Sequence, residues 1–341
     1  MWFGASIQEP LPIKGVVVNF MPSWWYRNYG IEYGDRMIFD PDYRVETHRA
    51  MRRIMAERFG AMHLGERDPQ PCVSAPDWQN ASTSAFAGCD VEYPKDNYPI
   101  GRHLPEDKLG SLRVPQDLWS VFPYNEMARQ VAYLNRRLHT DAENALPTRG
   151  ILNEAVILRG DALFLDMFEN PRRAQRVLDF SFNLMRHQIE INGGGCTICN
   201  CTVPLIGPRS YDERIFELDR RIAEQCGRQG GPFGIHHCGR FDEYASSYRR
   251  LSPTVAWVQI GHASDIRRVL ELFPEAPGVD QLIEATLINT GTPAEVGARI
   301  DRILDAARGH WHRLSLSVAD IDYGAPDENL AAVYEHVKRA A

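Results

Sequence analysis

Three of the chain's seven cysteines fall within six residues, as Cys196-Thr-Ile-Cys199-Asn-Cys201. A fourth follows two histidines, in His236-His237-Cys238-Gly239. The odd count, in a chain of 341 residues, argues against a disulfide scaffold. Crowded thiols in a reducing compartment point instead to metal or redox chemistry. Residues i and i+2 of a strand share a face. Cys199 and Cys201 therefore share one, as do His236 and Cys238, while Cys196 and His237 have the opposite parity. A site of Cys199, Cys201, His236 and Cys238 is sulfur-rich with one imidazole, a donor set that suits zinc. If only three bind, the fourth position is open and the site is catalytic. An iron–sulfur cluster needs about four thiolates, and Cys-x2-Cys-x-Cys matches no standard run. The plainer alternative is a packed thiol cluster, and Cys72, Cys89 and Cys226 read as small buried hydrophobes.

The elements that must hold these residues are legible mainly in the second half. The first third reads as irregular: a short strand at Val16-Val17-Val18, a helix from about Tyr43 to Phe59 stopped by Gly60, then loops and short strands over 64–115. Helices are expected at Tyr124–His139 and Arg172–Ile191, the latter preceded by Pro171, with a short strand at Gly150-Ile-Leu between them. Strands then alternate with helices. The strands are Cys196–Val203, Phe233–Cys238, Ala256–Ile260, Gly278–Ile283 and Leu314–Val318. The helices are Tyr211–Cys226, Phe241–Arg250, Ser264–Leu272, Pro293–Ala307 and Glu328–Arg339. Alternation implies parallel βαβ units. The length and the lack of a linker favour one α/β domain over 1–341, a (β/α)₈ TIM barrel. Residues 1–120 form its accessory layer and 121–341 its regular repeats. In such a barrel the chemistry sits at the C-terminal strand ends. Here those ends are Cys199-Asn-Cys201, His236-His237-Cys238, Gly261-His262 and Asp320-Ile-Asp322.

Composition narrows the function. The chain is 44% hydrophobic, 24% charged and 10% aromatic, with a net charge of −7. It has ample material for a core and no basic stretch for nucleic acid. No apolar window approaches the roughly 18 residues of a membrane span, and Met1–Lys14 lacks the pattern of a signal peptide. The expected compartment is the cytoplasm. Gly193-Gly194-Gly195 precedes a strand, so it reads as a helix stop and not as a phosphate loop. There is no G-x-S-x-G and no H-E-x-x-H. Trp24, Trp25 and Tyr26 could line a pocket or join the core. Arg27 and Arg36 could clamp a carboxylate or stay solvated.

In this order the motifs resemble the uroporphyrinogen decarboxylase-like superfamily over most of the chain. Leu158-Arg-Gly160 with Asn170-Pro171 is similar to the family's segment before its long helix. Leu205-Ile-Gly-Pro208-Arg-Ser-Tyr211 and Thr290-Gly-Thr-Pro293-Ala-Glu295-Val resemble two of its helix starts. Asn329-Leu330 resembles the start of its final helix, and Pro22-Ser-Trp24-Trp25-Tyr-Arg27 the decarboxylase signature. Ile235-His236-His-Cys238-Gly239 matches the "His-x-Cys-Gly" strand of the zinc-binding branch.

The resemblance implies the (β/α)₈ barrel and two chemistries. True decarboxylases surround an acidic tetrapyrrole with arginines and an aspartate, without metal. The other branch holds zinc methyltransferases that exchange methyl groups with a corrinoid carried by a partner protein. His236-x-Cys238 favours the second branch. So does Cys199, which stands eight residues before Gly207 where relatives often have Asp. The second signature arginine is also not found after Arg27. The methyltransferases' third zinc ligand, a Cys before the final helix, is absent from Val318-Ala-Asp320-Ile-Asp322. Cys199, Cys201 or Asp320 would take its place, or no zinc binds. The expectation is a zinc-dependent methyltransferase with a small-molecule methyl donor or acceptor, its cobalamin arriving on a partner corrinoid protein. His236, Cys238, Arg27 and Asp320 would serve catalysis, and Trp24, Trp25 and His262 would line the cofactor's approach. The rivals are a metal-independent decarboxylase of a polycarboxylate, and a metal or tetrapyrrole carrier without turnover. The oligomeric state is left open.

Overall fold

The computed structural model describes residues 4–251 and 255–340. Its strands are β1 (Gly4–Ser6), β2 (Gly15–Phe20), β3 (Val91–Glu92), β4 (Ile100–Gly101), β5 (Cys196–Cys199), β6 (Phe233–His237), β7 (Trp257–Ile260), β8 (Val279–Leu282) and β9 (Leu314–Ile321). β3 and β4 pair by themselves. The other seven form one sheet in the order β1-β2-β9-β8-β7-β6-β5. Only β1 runs antiparallel to its neighbour. Parallel neighbours cannot be joined by tight turns, so helices fill the crossovers. Helices Gly207–Arg214 and Phe216–Gln229 lead from β5 to β6, Ile266–Leu272 from β7 to β8, and Pro293–Ala306 from β8 to β9.

The register sorts the side chains into two kinds of row. Ile198, Ile235, Val258, Val279 and Leu314 are paired in succession across β5–β9. All five are fully buried. One residue further along, on the other face, the paired row reads Cys199, His236, Gln259, Asp280 and Ser315. Successive residues of a strand point to opposite faces. One face is therefore an apolar core, and the other carries a continuous row of polar and thiol side chains.

Two expectations from the sequence are corrected. Gly150-Ile-Leu is no strand. Gly150 is extended, with φ −97° and ψ 149°, and a helix runs from Ile151 to Arg159. A short apolar run fits a buried helix as well as a buried strand, and length decides between them. The expected single helix Tyr211–Cys226 is two, meeting at Ile215. In the N-terminal part, Asp40 caps a helix over Pro41–Phe59 by accepting from the N–H groups of Asp42 and Tyr43. Pro22–Tyr29 is a helix as well. Arg58 of the long helix grips Asp327 of the terminal helix with two bonds, of 2.7 and 2.9 Å. The two ends of the chain are thereby tied together.

The turn leaving β5 is pinned from below. Asn200 and Asp219 are both fully buried. The Asp219 carboxylate accepts from Asn200 Nδ2 at 2.8 Å and from the Tyr211 hydroxyl at 2.9 Å. Burial pushes its pKa up to about 6 against those two bonds. Beside it, His237 faces away from the polar row and its Nδ1 meets the Tyr248 hydroxyl at 2.8 Å. Burial, aided by His236, drives the His237 ring down to about 3, so it stays neutral. From the other side, Gly150 lies against the same turn. A Cβ there would overlap the carbonyl oxygen of Cys199.

Two outcomes follow from this packing. Gly150→Ala should destabilise by about 2–3 kcal/mol, because backbone has to move to admit the methyl group. Urea titration of the two proteins measures it, and equal midpoints would contradict the contact. A carboxyl whose folded pKa is raised stabilises most below its unfolded value near 3.9. Asp219's contribution should therefore be lost as pH rises through about 6. Asp219→Asn keeps an acceptor but cannot ionise. Relative to the parent it should gain about 3 kcal/mol between roughly pH 4 and pH 7. A pH-independent difference would contradict the assignment.

Candidate metal centre

β5 ends at Cys199, and the chain turns at Asn200, whose N–H donates to the His236 carbonyl at 2.8 Å. Cys201 follows in the turn. There the N–H and hydroxyl of Thr202 both donate to Asn153 Oδ1, at 3.0 and 2.6 Å. His236 sits on β6 and Cys238 just beyond its end. Gly261, at the end of the next strand, leaves no room for a side chain, since a Cβ there would overlap the Cys238 carbonyl.

These three turns bring three donors to one point. His236 Nε2 lies 3.1 Å from Cys201 Sγ and 2.9 Å from Cys238 Sγ, and the two sulfurs are 3.2 Å apart. Among the described residues this is the group of His, Cys, Asp and Glu side chains that could hold a metal ion. The donor set fits zinc. In a tetrahedral site such atoms stand roughly 3.6–3.8 Å apart, given usual zinc–sulfur and zinc–nitrogen bond lengths. The three converge on a common centre and need to separate only slightly.

The electrostatics point the same way. Hydrogen bonding from Cys238, and then from His236, pulls the Cys201 thiol down to about 4 against its burial. Cys238, sharing its proton with Cys201, is pushed up. Burial opposes charge on His236, yet Cys201 and then Gln259 hold its pKa above the ordinary value. The group thus holds one thiolate stabilised by its neighbours, and thiolate is the form of cysteine that binds metal.

Of the four sulfur and imidazole candidates, Cys201, His236 and Cys238 come together, and Cys199 does not join them. Its thiol is pushed up to about 12, first by burial and then by the Cys201 charge. Strand parity favoured Cys199 and Cys201 equally. The strand stops at Cys199, however, and the turn alone aims Cys201. Asp320 stands outside the group. It lies in a bulge where β9 shifts register against β2, with φ +58°. Bulges and left-handed non-glycine residues cluster beside functional sites. Burial raises its carboxyl above the usual range, and its charge is felt at Cys238.

The structure puts other candidates elsewhere. Trp24 and Trp25 are 1% and 0% exposed, so they line no rim. They pack with Phe20, Tyr29 and Phe59, as an aromatic run in a core does. Arg27 is exposed, its guanidinium 5.5 Å from the Tyr323 ring. Arg36 stacks at 4.1 Å over Tyr43. His262 is exposed, and the contacts of its residue run through its backbone carbonyl. Cys226 is no isolated hydrophobe. Its sulfur lies 3.5 Å from that of Cys196, so the two form a second pair of neighbouring thiols. Cys72 is exposed. Sequence reasoning missed Gln259 and Asp280. The signal was present as polar residues inside the strands Trp257-Val-Gln-Ile260 and Val279-Asp-Gln-Leu282.

Comparison with known proteins bears on the fold and the family. Among solved structures, a methyltransferase from Methanosarcina mazei superposes with a TM-score of 0.63, covering 98% of this chain and 94% of that one. The two are 12% identical, so the likeness speaks for the fold. No curated protein matches the chain by sequence. The family described as Uroporphyrinogen decarboxylase (URO-D) matches residues 83–340, which takes in β5 to β9 and the whole Cys201–His236–Cys238 group. The chain belongs to the uroporphyrinogen decarboxylase (URO-D) family.

Proposed function

We propose that this protein is a zinc-dependent methyltransferase that exchanges a methyl group between a small substrate and a corrinoid carried by a partner protein. The observation that carries the reading is the convergence of Cys201, His236 and Cys238 at adjacent strand ends. Two thiolates and one imidazole would hold the metal and leave a fourth position for substrate. Zinc supplies Lewis acidity there, lowering the pKa of a substrate thiol or hydroxyl so that it is nucleophilic near neutral pH. The chain's own residues do the rest. Asp320, exposed at this strand end and held above the usual carboxyl range, is suited to take the substrate's proton. Arg27 and Tyr323 stand near the same end of β9 as an anion-binding pair.

The fold belongs to the same proposal. Residues 1–341 would make one domain, with the sheet closed into a (β/α)₈ barrel between β5 and the β1–β2 edge. The extended backbone at Gly150, pressed against the end of β5, supports that closure. Such a barrel opens at the C-terminal strand ends, where a partner's corrinoid would have to reach. No described helix is long and apolar enough to cross a membrane, which accords with a cytoplasmic setting. The decarboxylase alternative calls for arginines around the substrate. The row on these strands offers Cys199, His236, Gln259, Asp280 and Ser315 instead.

Elemental analysis of protein purified without chelator tests the metal. About one zinc per chain is expected, and less than about a tenth refutes zinc as cofactor. Cys238→Ser and His236→Ala should each lose both zinc and methyl transfer while keeping the parent's melting temperature within a few degrees. Cys196→Ser should keep both. With methylcobalamin and a panel of small thiols, turnover should be visible as loss of the methylcobalamin absorbance. Methylation that proceeds with no cobalamin or corrinoid protein added refutes the corrinoid.

A further inference from the structure

The polar row on β5–β9 does more than supply ligands. His236, Gln259 and Asp280 are register partners on three consecutive strands. Their side chains are linked in the same order. His236 Nδ1 meets Gln259 Oε1, and Gln259 Nε2 donates to Asp280 Oδ1 at 2.7 Å. Gln259 Nε2 also reaches Ser317 Oγ, at 3.2 Å. Asp280 is 3% exposed.

Direction is built into this chain. An amide's two ends are told apart by what they bond. A carboxylate only accepts, so Asp280 must face the Gln259 NH₂ group, and the carbonyl end then faces His236. A carbonyl oxygen also only accepts, so His236 must present a proton at Nδ1. The other ring nitrogen, Nε2, is the one turned to Cys201 and Cys238. Burial raises the Asp280 carboxyl above its usual range, while hydrogen bonds from Gln259, Ser317 and Ser315 oppose that and favour the charged form.

We propose that Gln259 and Asp280 are positioning residues that keep the His236 proton on Nδ1, so that Nε2 is the nitrogen offered to the thiols and to a metal. The inference rests on the metal-site reading for its purpose, and on the hydrogen-bond chain for its substance. A metal-binding histidine generally needs such a partner on its far nitrogen, and removing it typically costs 10–100-fold in metal affinity. The side-chain hydrogen bonds of Gln259 and Asp280 run to His236, to each other and to serines, and among the described residues none runs to the sulfurs of Cys201 or Cys238. The tautomer of His236 reads the positioning role directly, apart from any change in stability.

The experiment uses full-length protein labelled with ¹⁵N-histidine. The His236 signals are assigned by their loss in His236→Gln. In metal-free, reduced protein, at a pH where the ring is neutral, the Nδ1 resonance should be that of a protonated nitrogen and Nε2 that of a bare one. Gln259→Met, similar in size, and Asp280→Asn, which lets the amide turn over, should each shift His236 toward a mixture of the two tautomers. Zinc affinity, measured by competition with a chromogenic chelator, should fall 10–100-fold in Gln259→Met. A His236 carrying its proton on Nε2 in the parent overturns the proposal. So does a tautomer population unmoved in Gln259→Met, or zinc affinity equal to the parent's. If the parent binds no zinc at all, the metal reading fails while the tautomer measurement still decides the positioning role.

Discussion

Parallel register is the constraint on which the rest of this molecule depends. Because β5 to β9 pair without slippage, residues far apart in sequence line up as rows across the sheet. A shift of one residue in any strand would exchange the apolar row for the polar one. His236 would then turn into the core and Ile235 into the site. The burial of Ile198, Ile235, Val258, Val279 and Leu314 fixes the register, and the chemistry inherits it. At roughly 25 cal/mol per Å² of apolar surface, a slip that exposed such a row would cost several kcal/mol.

The polar residues below and beside the site make sense against that background. A buried carboxylate is costly unless its oxygens are bonded. Asp219 Oδ2 has Asn200 and Tyr211 while its Oδ1 has no bonding partner among the described residues, and Asp280 has Gln259. Each has one hydrogen bond with a residue that adjoins or contacts a member of the Cys–His–Cys group. Asn200 precedes Cys201, and Gln259 meets His236. Both buried acids thus act on the geometry of the site through a single intermediate amide, while His237, turned the opposite way and neutral, belongs to the packing.

The described N-terminal residues supply a wall and no member of the Cys–His–Cys group. Trp24, Trp25, Phe20 and Phe59 form an aromatic cluster in the core, with Arg58 lying 4.9 Å over Trp24 and reaching across to Asp327. That cluster holds the end of β2 against the end of β9, where Asp320 adopts its left-handed conformation. A strained residue of this kind persists only where its surroundings over-determine it. The hydrogen bond from Asn289 to the Asp320 carbonyl, at 2.9 Å, is part of that support.

The sequence by itself determined the alternation of strands and helices after residue 190, because apolar periodicity and helix-end residues are local signals. It also pointed to His236 and Cys238 lying together, since residues two apart at a strand end tend to share a face, although Cys238 proves to lie just beyond β6. It could not say which cysteine meets them. Cys199 and Cys201 have the same parity, and the choice fell to the turn after β5, which Asn153, Asn200 and Asp219 shape from three different helices and loops. Nor could it separate the buried helix Ile151–Arg159 from a strand, or tell Trp24 and Trp25 in a core from the same pair at a pocket's edge. Those were decided by tertiary structure alone, because burial and convergence depend on residues distant in the sequence, and composition near a residue carries no record of what folds against it.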